Sequence, residues 1–423
     1  MLMTVMEDRS AARLACWMNG NTNLRTPFYY YDEEIIRNQA KRLREILPPH
    51  GEIFYSVKAN PNLWIVKILA EMGCGMEIAS SGELRLCLRA GVSPGRIVFA
   101  GPAKRDDELE EALLAGVYAI NVESAGELER LAVMCRRHKK EQNIHIRINP
   151  PFDAGGDGVK MGGGSKKFGI DSERLEEVKT LLNKNPLIHC AGFHVFAATQ
   201  ILDIQEIMDY FKMAIALMKE SAVQLGIILS RLDIGSGLGI SYESAVSEID
   251  DGSLTKGLQN IVKKEGIEGR TVLVETGRFL VGQSALFVTR IIDKKVSRGV
   301  TYLLCDGGIN HMLRPALIGD RHEIFRLQAN EGARPKERVT VAGPLCTSLD
   351  ILGVDVEVER AEIGDILCVG QAGAYGYTES MPFFLSHPMP DEYMRDLDGR
   401  VRRIRKGLDY ETIVQMQEEA ENE

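Results

Sequence analysis

The feature that most constrains the fold is a regular alternation of short β-like runs and helical stretches between residues 53 and 276. Helical patterns such as LWIVKILAEMG and AGELERLAVMCRRH separate the runs. Eight β-α units over about 230 residues match a (β/α)8 barrel, and this number favours the closed barrel over a doubly wound open sheet. The runs are IFYSV (53–57), GMEIA (75–79), RIVFA (96–100), YAINV (118–122), IHIRI (144–148), CAGFHVF (190–196), RLDIG (231–235) and VLVET (272–276).

The pattern changes after Thr276. The segment SALFVTRIIDKKVSRGVTYLLCDGG has the composition of successive strands without helices between them, and RVTVAG, DVEVER and DILCVG continue in the same style. These segments predict an antiparallel β-domain, and the N-terminal run TPFYYYD is expected to join it as a further strand. The predicted α/β architecture is a TIM barrel over residues 32–280 and a β-domain over residues 1–31 and 281–423.

Charge and cysteine spacing exclude several classes of function. The formal net charge is −9 and no long run of Lys and Arg is present, so nucleic-acid binding is disfavoured. No apolar stretch approaches ~20 residues, and the N-terminus lacks a signal-peptide core, so we expect a cytoplasmic protein with no membrane span. The eight cysteines show neither CxxC pairs nor zinc spacing. Reduced thiols and the absence of a metal site are therefore expected.

Chemically active side chains are expected at the carboxyl ends of the barrel strands. Lys58 follows the first strand, and by itself it could be an ordinary lysine that reaches solvent from a sheet edge. Taken together with the other strand ends, however, it predicts one pocket. The other candidates at these ends are Glu77, Arg147, His194 and Phe196, followed by the turns GSGLG (235–239) and ETGR (275–278).

The two turns predict an anion site with a lysine opposite. Barrels commonly bind phosphate at the last two loops, and no Walker A sequence indicates a nucleotide triphosphate. A lysine amine that faces a phosphate site suggests pyridoxal 5′-phosphate, whose pyridine nitrogen Glu275 is placed to keep protonated. A barrel-mouth salt bridge between Glu275 and Arg147 is the alternative role. The glycines expected to let backbone N–H groups approach the phosphate are Gly235, Gly237, Gly239 and Gly277.

Several motifs in order resemble those of a known family. They are FYSVKANPN, EIASSGEL, RIVFAGPAK, DIGSGLG, ETGR, CDGGINHMLRPAL, GPLCTSLD and AGAYGY. From about residue 26 to 395, the chain resembles the pyridoxal-phosphate-dependent decarboxylases with the alanine-racemase fold (fold type III). Diaminopimelate, ornithine and arginine decarboxylases belong to this family.

The resemblance implies a role for each matching residue. Lys58 would hold the cofactor, Glu275 would contact the pyridine nitrogen, and Cys346 would enter the neighbouring protomer's site and help deliver a proton to Cα. A homodimer with shared active sites is therefore implied. Substrate contacts are implied for Arg278, Arg314, Thr347 and Tyr375. The residues expected around the cofactor and its phosphate are Glu77, Arg147, His194, Phe196, Thr199, Gly235, Gly237, Gly239, Gly277, Arg278 and Tyr375.

Departures from the family pattern bear on the substrate. In GFHVFAATQ, Phe196 replaces the histidine that usually covers the cofactor ring, and Thr199 replaces a serine; His194 could serve either the core or the cofactor. Thr347 replaces the acidic residue that usually binds a distal substrate amine. FFLSHPMP, with Phe383 and Phe384, replaces the usual tail motif. The GPLCT and FFLSHP variants resemble biosynthetic-cluster decarboxylases, such as the butirosin-pathway decarboxylase of glutamate on a carrier protein.

The predicted activity is removal of the α-carboxylate from an amino acid, or from an intermediate derived from one, with a neutral, acylated or carrier-tethered distal end. The substrate is a small molecule, with an acyl carrier protein as a further possible partner. Alternatives are diaminopimelate decarboxylase, an amino-acid racemase on the same fold, and a non-catalytic vitamin-B6 carrier. A β-domain with a cysteine and a tyrosine argues against the carrier. Glu275 argues against the racemase, because racemases of this fold typically place an arginine at the ring nitrogen.

Overall fold

The computed structural model describes residues 5–152, 163–243, 246–327 and 334–418. The strands, in chain order, are β1 Phe28–Asp32, β2 Gly51–Ser56, β3 Gly75–Ile78, β4 Ile97–Phe99, β5 Ala119–Val122, β6 Gln142–Asn149, β7 Ile170–Asp171, β8 Ile188–His194, β9 Arg231–Asp233, β10 Thr271–Thr276, β11 Ala285–Ser297, β12 Val300–Cys305, β13 Ile324–Arg326, β14 Lys336–Ala342, β15 Ile351–Glu359, β16 Ile366–Val369, β17 Asp391–Arg395 and β18 Val401–Arg405.

The α-helices of the described residues are α1 Val5–Asn19, α2 Glu33–Ile46, α3 Leu63–Glu71, α4 Ser81–Arg89, α5 Asp106–Ala115, α6 Ala125–His138, α7 Leu175–Lys184, α8 Ile204–Leu225, α9 Asp251–Lys264, α10 Arg278–Val281, α11 Arg314–Ile318 and α12 Tyr410–Glu418. None of these helices combines the length and the apolar character that a membrane span requires.

The chain divides into two compact units. The first contains Arg37–Ile240 and Glu248–Leu280, and the second contains the described residues of Met1–Ile36, Ser241–Ser247 and Val281–Glu423.

The first unit is a closed parallel barrel. Its strands follow the order β5-β4-β3-β2-β10-β9-β8-β6, and pairing of β6 with β5 closes the ring. One helix from α3 to α9 lies between each pair of successive barrel strands. The strands β3, β5 and β10 are almost wholly buried, as expected where helices cover a parallel sheet. The predicted (β/α)8 barrel is confirmed.

The strand register brings the predicted site residues to one end of the barrel. Ser56 at the end of β2 pairs with Glu77 of β3, and Arg147 of β6 pairs with His194 of β8. His194 in turn pairs with Asp233 of β9. Because all barrel strands run in the same direction, the carboxyl ends of these neighbours meet at the same rim.

The second unit is built on a sheet with the order β15-β14-β12-β11-β1-β17-β18, and β16 pairs with β11 and β13. Most pairings are antiparallel, but β1 pairs with β17 and β12 pairs with β14 in parallel. The N-terminal strand β1 lies between β11 and β17, as the sequence predicts. Phe28 and Tyr30 of β1 pack with Leu14 of α1 in the core of this unit.

Candidate active site

Lys58 lies where the first barrel strand ends. After β2 the chain makes a short 3-10 turn over Val57–Ala59, and Asn62 then caps α3 by accepting a hydrogen bond from the N–H of Trp64. The Lys58 Nζ donates to both carboxylate oxygens of Glu77, at 2.8 and 2.7 Å. Glu77 is 1% exposed, whereas the Lys58 side chain is 41% exposed. A buried carboxylate therefore orients an accessible amine, which is not the contact of a lysine that only reaches for solvent.

Glu275 is the penultimate residue of β10, and it is buried. Its Oε2 lies 3.1 Å from His194 Nε2, and Asn121 Nδ2 donates to Oε1 at 3.4 Å. Burial alone would raise the pKa of Glu275, but His194, a hydrogen bond from Asp233 and the charge of Lys58 hold that pKa well below its ordinary value. Glu275 is therefore an ionised carboxylate in a buried position.

Asp233, at the end of β9, is the buried acidic neighbour of Glu275, and its pKa is shifted in the opposite direction. It is fully buried, and burial, the charge of Glu275 and a hydrogen bond to Glu275 raise the pKa of Asp233 well above its ordinary value. Its Oδ1 accepts from the Gly235 N–H at 3.2 Å. Two carboxyl groups this close share one proton rather than carrying two charges. The pair therefore holds a single negative charge, on Glu275.

The same cluster has the spacing of a metal site. The donor atoms of His194, Asp233 and Glu275 lie within 4.8 Å of one another. A metal would require deprotonated ligands. The raised pKa of Asp233 works against metal binding by this group.

Arg147 pairs with Glu123, and not with Glu275. Its Nη1 lies 2.7 Å from Glu123 Oε1, and both side chains are buried. The other oxygen of Glu123 accepts from the Gly169 N–H at 3.1 Å, and the guanidinium lies 4.7 Å from the centroid of the Phe168 ring. The alternative role of Glu275, a salt bridge to Arg147, does not describe the structure.

The glycine-rich turn after β9 packs under Phe196. Gly235 and Gly237 have positive φ values of 57° and 67°, which a side chain rarely tolerates. A Cβ at Gly235 would lie 2.3 Å from Phe196 Cδ2. The Gly235 N–H donates to Asp233 and the Gly239 N–H to Ile201 O, so these two amides serve the protein itself.

The loop after β10 approaches the Lys58 turn closely. A Cβ at Gly277 would lie 2.5 Å from Ala59 Cβ and 2.9 Å from Ser56 O. Glycine at this position therefore allows the loop that follows Glu275 to contact the turn that carries Lys58. Arg278 begins α10 and is buried, and Thr199 lies half-buried in the segment after β8.

In the β-unit, the guanidinium of Arg314 is buried among acidic groups and a tyrosine. Its Nε donates to Asp320 and its Nη1 donates to Glu379, each at 2.8 Å. Its Cζ lies 4.9 Å from the centroid of the Tyr375 ring. Tyr375 has a φ of 58°, a strained value for a residue with a side chain, and such strain is often found at functional positions.

Cys346 and Thr347 lie on a turn that Asp350 holds in place. The Asp350 carboxylate accepts from the N–H groups of Ile309 at 2.8 Å and Leu345 at 2.6 Å. Cys346 is exposed, and Thr347 Oγ1 accepts from the Leu349 N–H at 3.3 Å. The predicted aromatic pair, Phe383 and Phe384, is also exposed.

Comparisons with known proteins agree with this geometry. Residues 33–282 match the family model described as "Pyridoxal-dependent decarboxylase, pyridoxal binding domain". The chain is 34% identical over 407 residues to the L-glutamyl-[BtrI acyl-carrier protein] decarboxylase of Niallia circulans, with 94% of this chain and 95% of the relative covered. The chain belongs to the pyridoxal-dependent decarboxylase family.

Further relatives are diaminopimelate decarboxylases. The enzyme from Aquifex aeolicus is 32% identical over 391 residues, covering 92% of this chain and 91% of the relative. The crystal structure of the I148L mutant of the Helicobacter pylori enzyme, complexed with L-lysine, superposes with a TM-score of 0.86 at 30% identity, covering 96% of this chain and all of that one. The predicted family, decarboxylase activity, fold and cofactor are confirmed.

The residues of the barrel fit pyridoxal phosphate. Lys58 supplies an accessible primary amine, and Glu275 supplies a buried anion able to pair with a protonated pyridine nitrogen. The sequence alone did not indicate Asp233, Asn121, Glu123 or His145. His145 Nδ1 lies 3.0 Å from Asn121 Oδ1, and burial lowers the pKa of His145 to about 4. Asp233 lies two residues before Gly235, on the strand that leads into the glycine-rich turn. This position was the feature of the sequence that could have identified it.

Proposed function

We propose that this decarboxylase acts on an amino-acid-derived intermediate whose distal end is neutral, acylated or tethered to a carrier protein. The observation that carries the proposal is Thr347, which stands on the turn after Cys346 where the family pattern has an acidic residue. Desolvating a distal ammonium group is costly without a carboxylate partner. A threonine hydroxyl contributes one neutral hydrogen bond, of about 1 kcal/mol net.

The similarity to the L-glutamyl-[BtrI acyl-carrier protein] decarboxylase along nearly the whole chain supports the same substrate class. Diaminopimelate decarboxylase remains the second candidate, because relatives with that activity are almost as similar.

In the proposed reaction, the bound pyridoxal phosphate supplies an electron-poor ring that accepts the electron pair left on Cα when CO2 departs. Lys58 Nζ would hold the cofactor, and Glu77 orients this amine through two hydrogen bonds. Glu275, whose pKa is lowered in its buried position, would favour a proton on the pyridine nitrogen. Asp233 holds its own proton toward Glu275 and leaves the charge there.

The final step requires a proton at Cα. We assign it to the thiol of the partner subunit's Cys346, in a homodimer with shared sites; the exposure of Cys346 on a braced turn supports this assignment. Arg278, Arg314, Thr347 and Tyr375 are the proposed substrate contacts. We also propose a cytoplasmic location, because the cysteines are scattered along the chain and none of the eight forms a disulfide.

The test is a panel of substrates assayed for CO2 release with the purified holoenzyme. The panel contains L-glutamate attached to a carrier protein or to pantetheine as a thioester, and free meso-diaminopimelate, ornithine, lysine and arginine. We expect the acylated substrates to be turned over and the free diamino acids to react poorly. Efficient turnover of free meso-diaminopimelate would replace the proposal by the second candidate.

A further inference from the structure

The positive charge of Arg314 is already neutralised within the β-unit. Its side chain is 7% exposed, and the two carboxylates that it contacts, Asp320 and Glu379, are 21% and 34% exposed. Burial alone would lower the pKa of Arg314, but Tyr242, Asp320 and Glu379 raise it above its ordinary value. Arg314 is thus a permanent cation that faces two acidic groups, and the cluster has no surplus positive charge.

The two carboxylates occupy different sides of the guanidinium. Asp320 accepts from Nε, whereas Glu379 accepts from the terminal Nη1. An arginine binds a carboxylate ligand best through two parallel N–H donors, so Glu379 uses a donor that such a ligand would need. The remaining guanidinium N–H groups can still donate to a neutral carbonyl oxygen.

We propose that Glu379 determines the charge of the substrate: by neutralising Arg314 it selects a distal acyl carbonyl, as in a thioester or carboxamide, and rejects a distal carboxylate. This inference rests on the proposed function, in which Arg314 contacts the substrate. It explains how one pocket distinguishes glutamate with an acylated side chain from free glutamate.

A distal carboxylate that approaches the terminal nitrogens of Arg314 would meet Glu379 as a like charge, and it could pair with Nη1 only by displacing Glu379. A neutral carbonyl avoids this penalty. Glu379 therefore disfavours a distal carboxylate, whereas Thr347 separately offers no carboxylate to a distal amine.

The experiment compares substrates that differ in one distal group. L-glutamine and L-glutamate have nearly the same shape, and their decarboxylation products, 4-aminobutanamide and 4-aminobutyrate, serve as competitive inhibitors. The ratio of kcat/KM for the amide to that for the acid is measured with wild-type holoenzyme and with Glu379→Gln. The ratio of the two inhibition constants is measured in parallel and gives the same comparison if either amino acid is turned over slowly.

Glu379→Gln should shift both ratios by about 10-fold in favour of the acid. This is the expected contribution of one charge-assisted hydrogen bond from Arg314 to a substrate carboxylate once Glu379 no longer competes for it. Glu379→Met removes the same charge and should shift them in the same direction. The matched control is Asp320→Asn, which leaves Nη1 paired with Glu379 and should shift the ratios by less than about 3-fold.

Unchanged ratios in both Glu379 variants, or equal shifts in Asp320→Asn and Glu379→Gln, would overturn the inference. Loss of turnover of ornithine or lysine in Glu379→Gln would also overturn it, because Glu379 would then bind a distal amine. These outcomes are independent of the substrate panel. The proposed function is tested on the wild-type enzyme, whereas this inference fails when the ratio stays the same between wild type and the Glu379 variants.

Discussion

The replacement Asp233→Asn tests which member of the buried acid pair carries the charge. An ordinary aspartate is protonated in on the order of one molecule in 10³ at pH 7. Burial and the neighbouring charge of Glu275 raise the pKa of Asp233 well above its ordinary value, so we expect it to keep its proton in the folded protein. Asparagine keeps the shape and the N–H donor toward Glu275, and its carbonyl can still accept from the Gly235 N–H. We therefore expect Asp233→Asn to fold and to retain activity within about 10-fold of wild type.

The magnitude follows from one proton. In the unfolded chain Asp233 loses its proton near pH 4, whereas its raised pKa in the folded protein moves this loss to higher pH, so between the two pKa values the folded state binds about one more proton. This raised pKa contributes stability at low pH that is lost as pH rises, by about 1.4 kcal/mol per pH unit up to the folded pKa. Glu275, whose pKa is lowered, acts in the opposite sense and loses its contribution only as pH falls below about 4.

Infrared spectroscopy at pH 7 is the direct assay. The difference spectrum between wild type and Asp233→Asn should show the loss of the C=O stretch of one protonated carboxyl, and the thermal midpoint of the variant should rise relative to wild type between pH 5 and 7. Glu275→Gln should behave differently, with cofactor bound but kcat reduced by about 10²-fold or more, because the ring nitrogen loses its anion. If this band is not lost in Asp233→Asn, and if Asp233→Asn loses more activity than Glu275→Gln, the charge resides on Asp233 and the assignment is wrong.

Three other outcomes are expected. Lys58→Ala should lose the visible absorbance and the borohydride-fixed cofactor of wild type, whereas the control Lys67→Ala on α3 should keep both; a normal borohydride-fixed cofactor in Lys58→Ala would refute the attachment site. Cys346→Ala and Lys58→Ala, each nearly inactive alone, should regain part of the activity when mixed and allowed to exchange subunits; no recovery despite proven exchange would place each site within one chain. Thr347→Glu should raise kcat/KM for ornithine or lysine by about 10-fold, with Thr347→Gln as the uncharged control, and equal effects of both would contradict the charge argument.

The fold was predictable because its signal is repeated. Eight β-α units give eight independent indications of one barrel, so small errors in strand ends do not matter. The N-terminal strand was predictable for a different reason: the first four residues of FYYYD are aromatic, and a strand with large rings on both faces must be covered on both sides. The two parallel strand pairs in the β-unit were not predictable, because parallel and antiparallel strands use the same residue types.

The partners within the site could not be predicted from single residues. Glu77 was expected at the cofactor, but sequence does not show that it binds the lysine amine, because the contact depends on the register of β2 and β3. Asp233 resembles any polar residue beside a turn until its burial and its distance from Glu275 are known. Glu379 was hidden for a similar reason, since 65 residues separate it from Arg314 along the chain.

The charges at the carboxyl end of the barrel explain why Glu275 suits a cationic ring. In the part of the barrel that the structure describes, Lys58 is compensated by Glu77 and Arg147 by Glu123. Glu275 has hydrogen-bonding neighbours but no arginine or lysine within salt-bridge distance among the described residues. His194 and the charge of Lys58 already lower the pKa of Glu275, and a cation in direct contact would stabilise this buried carboxylate further. A protonated pyridine nitrogen supplies that cation, so binding of the cofactor completes an ion pair for which the apoprotein already holds the negative half.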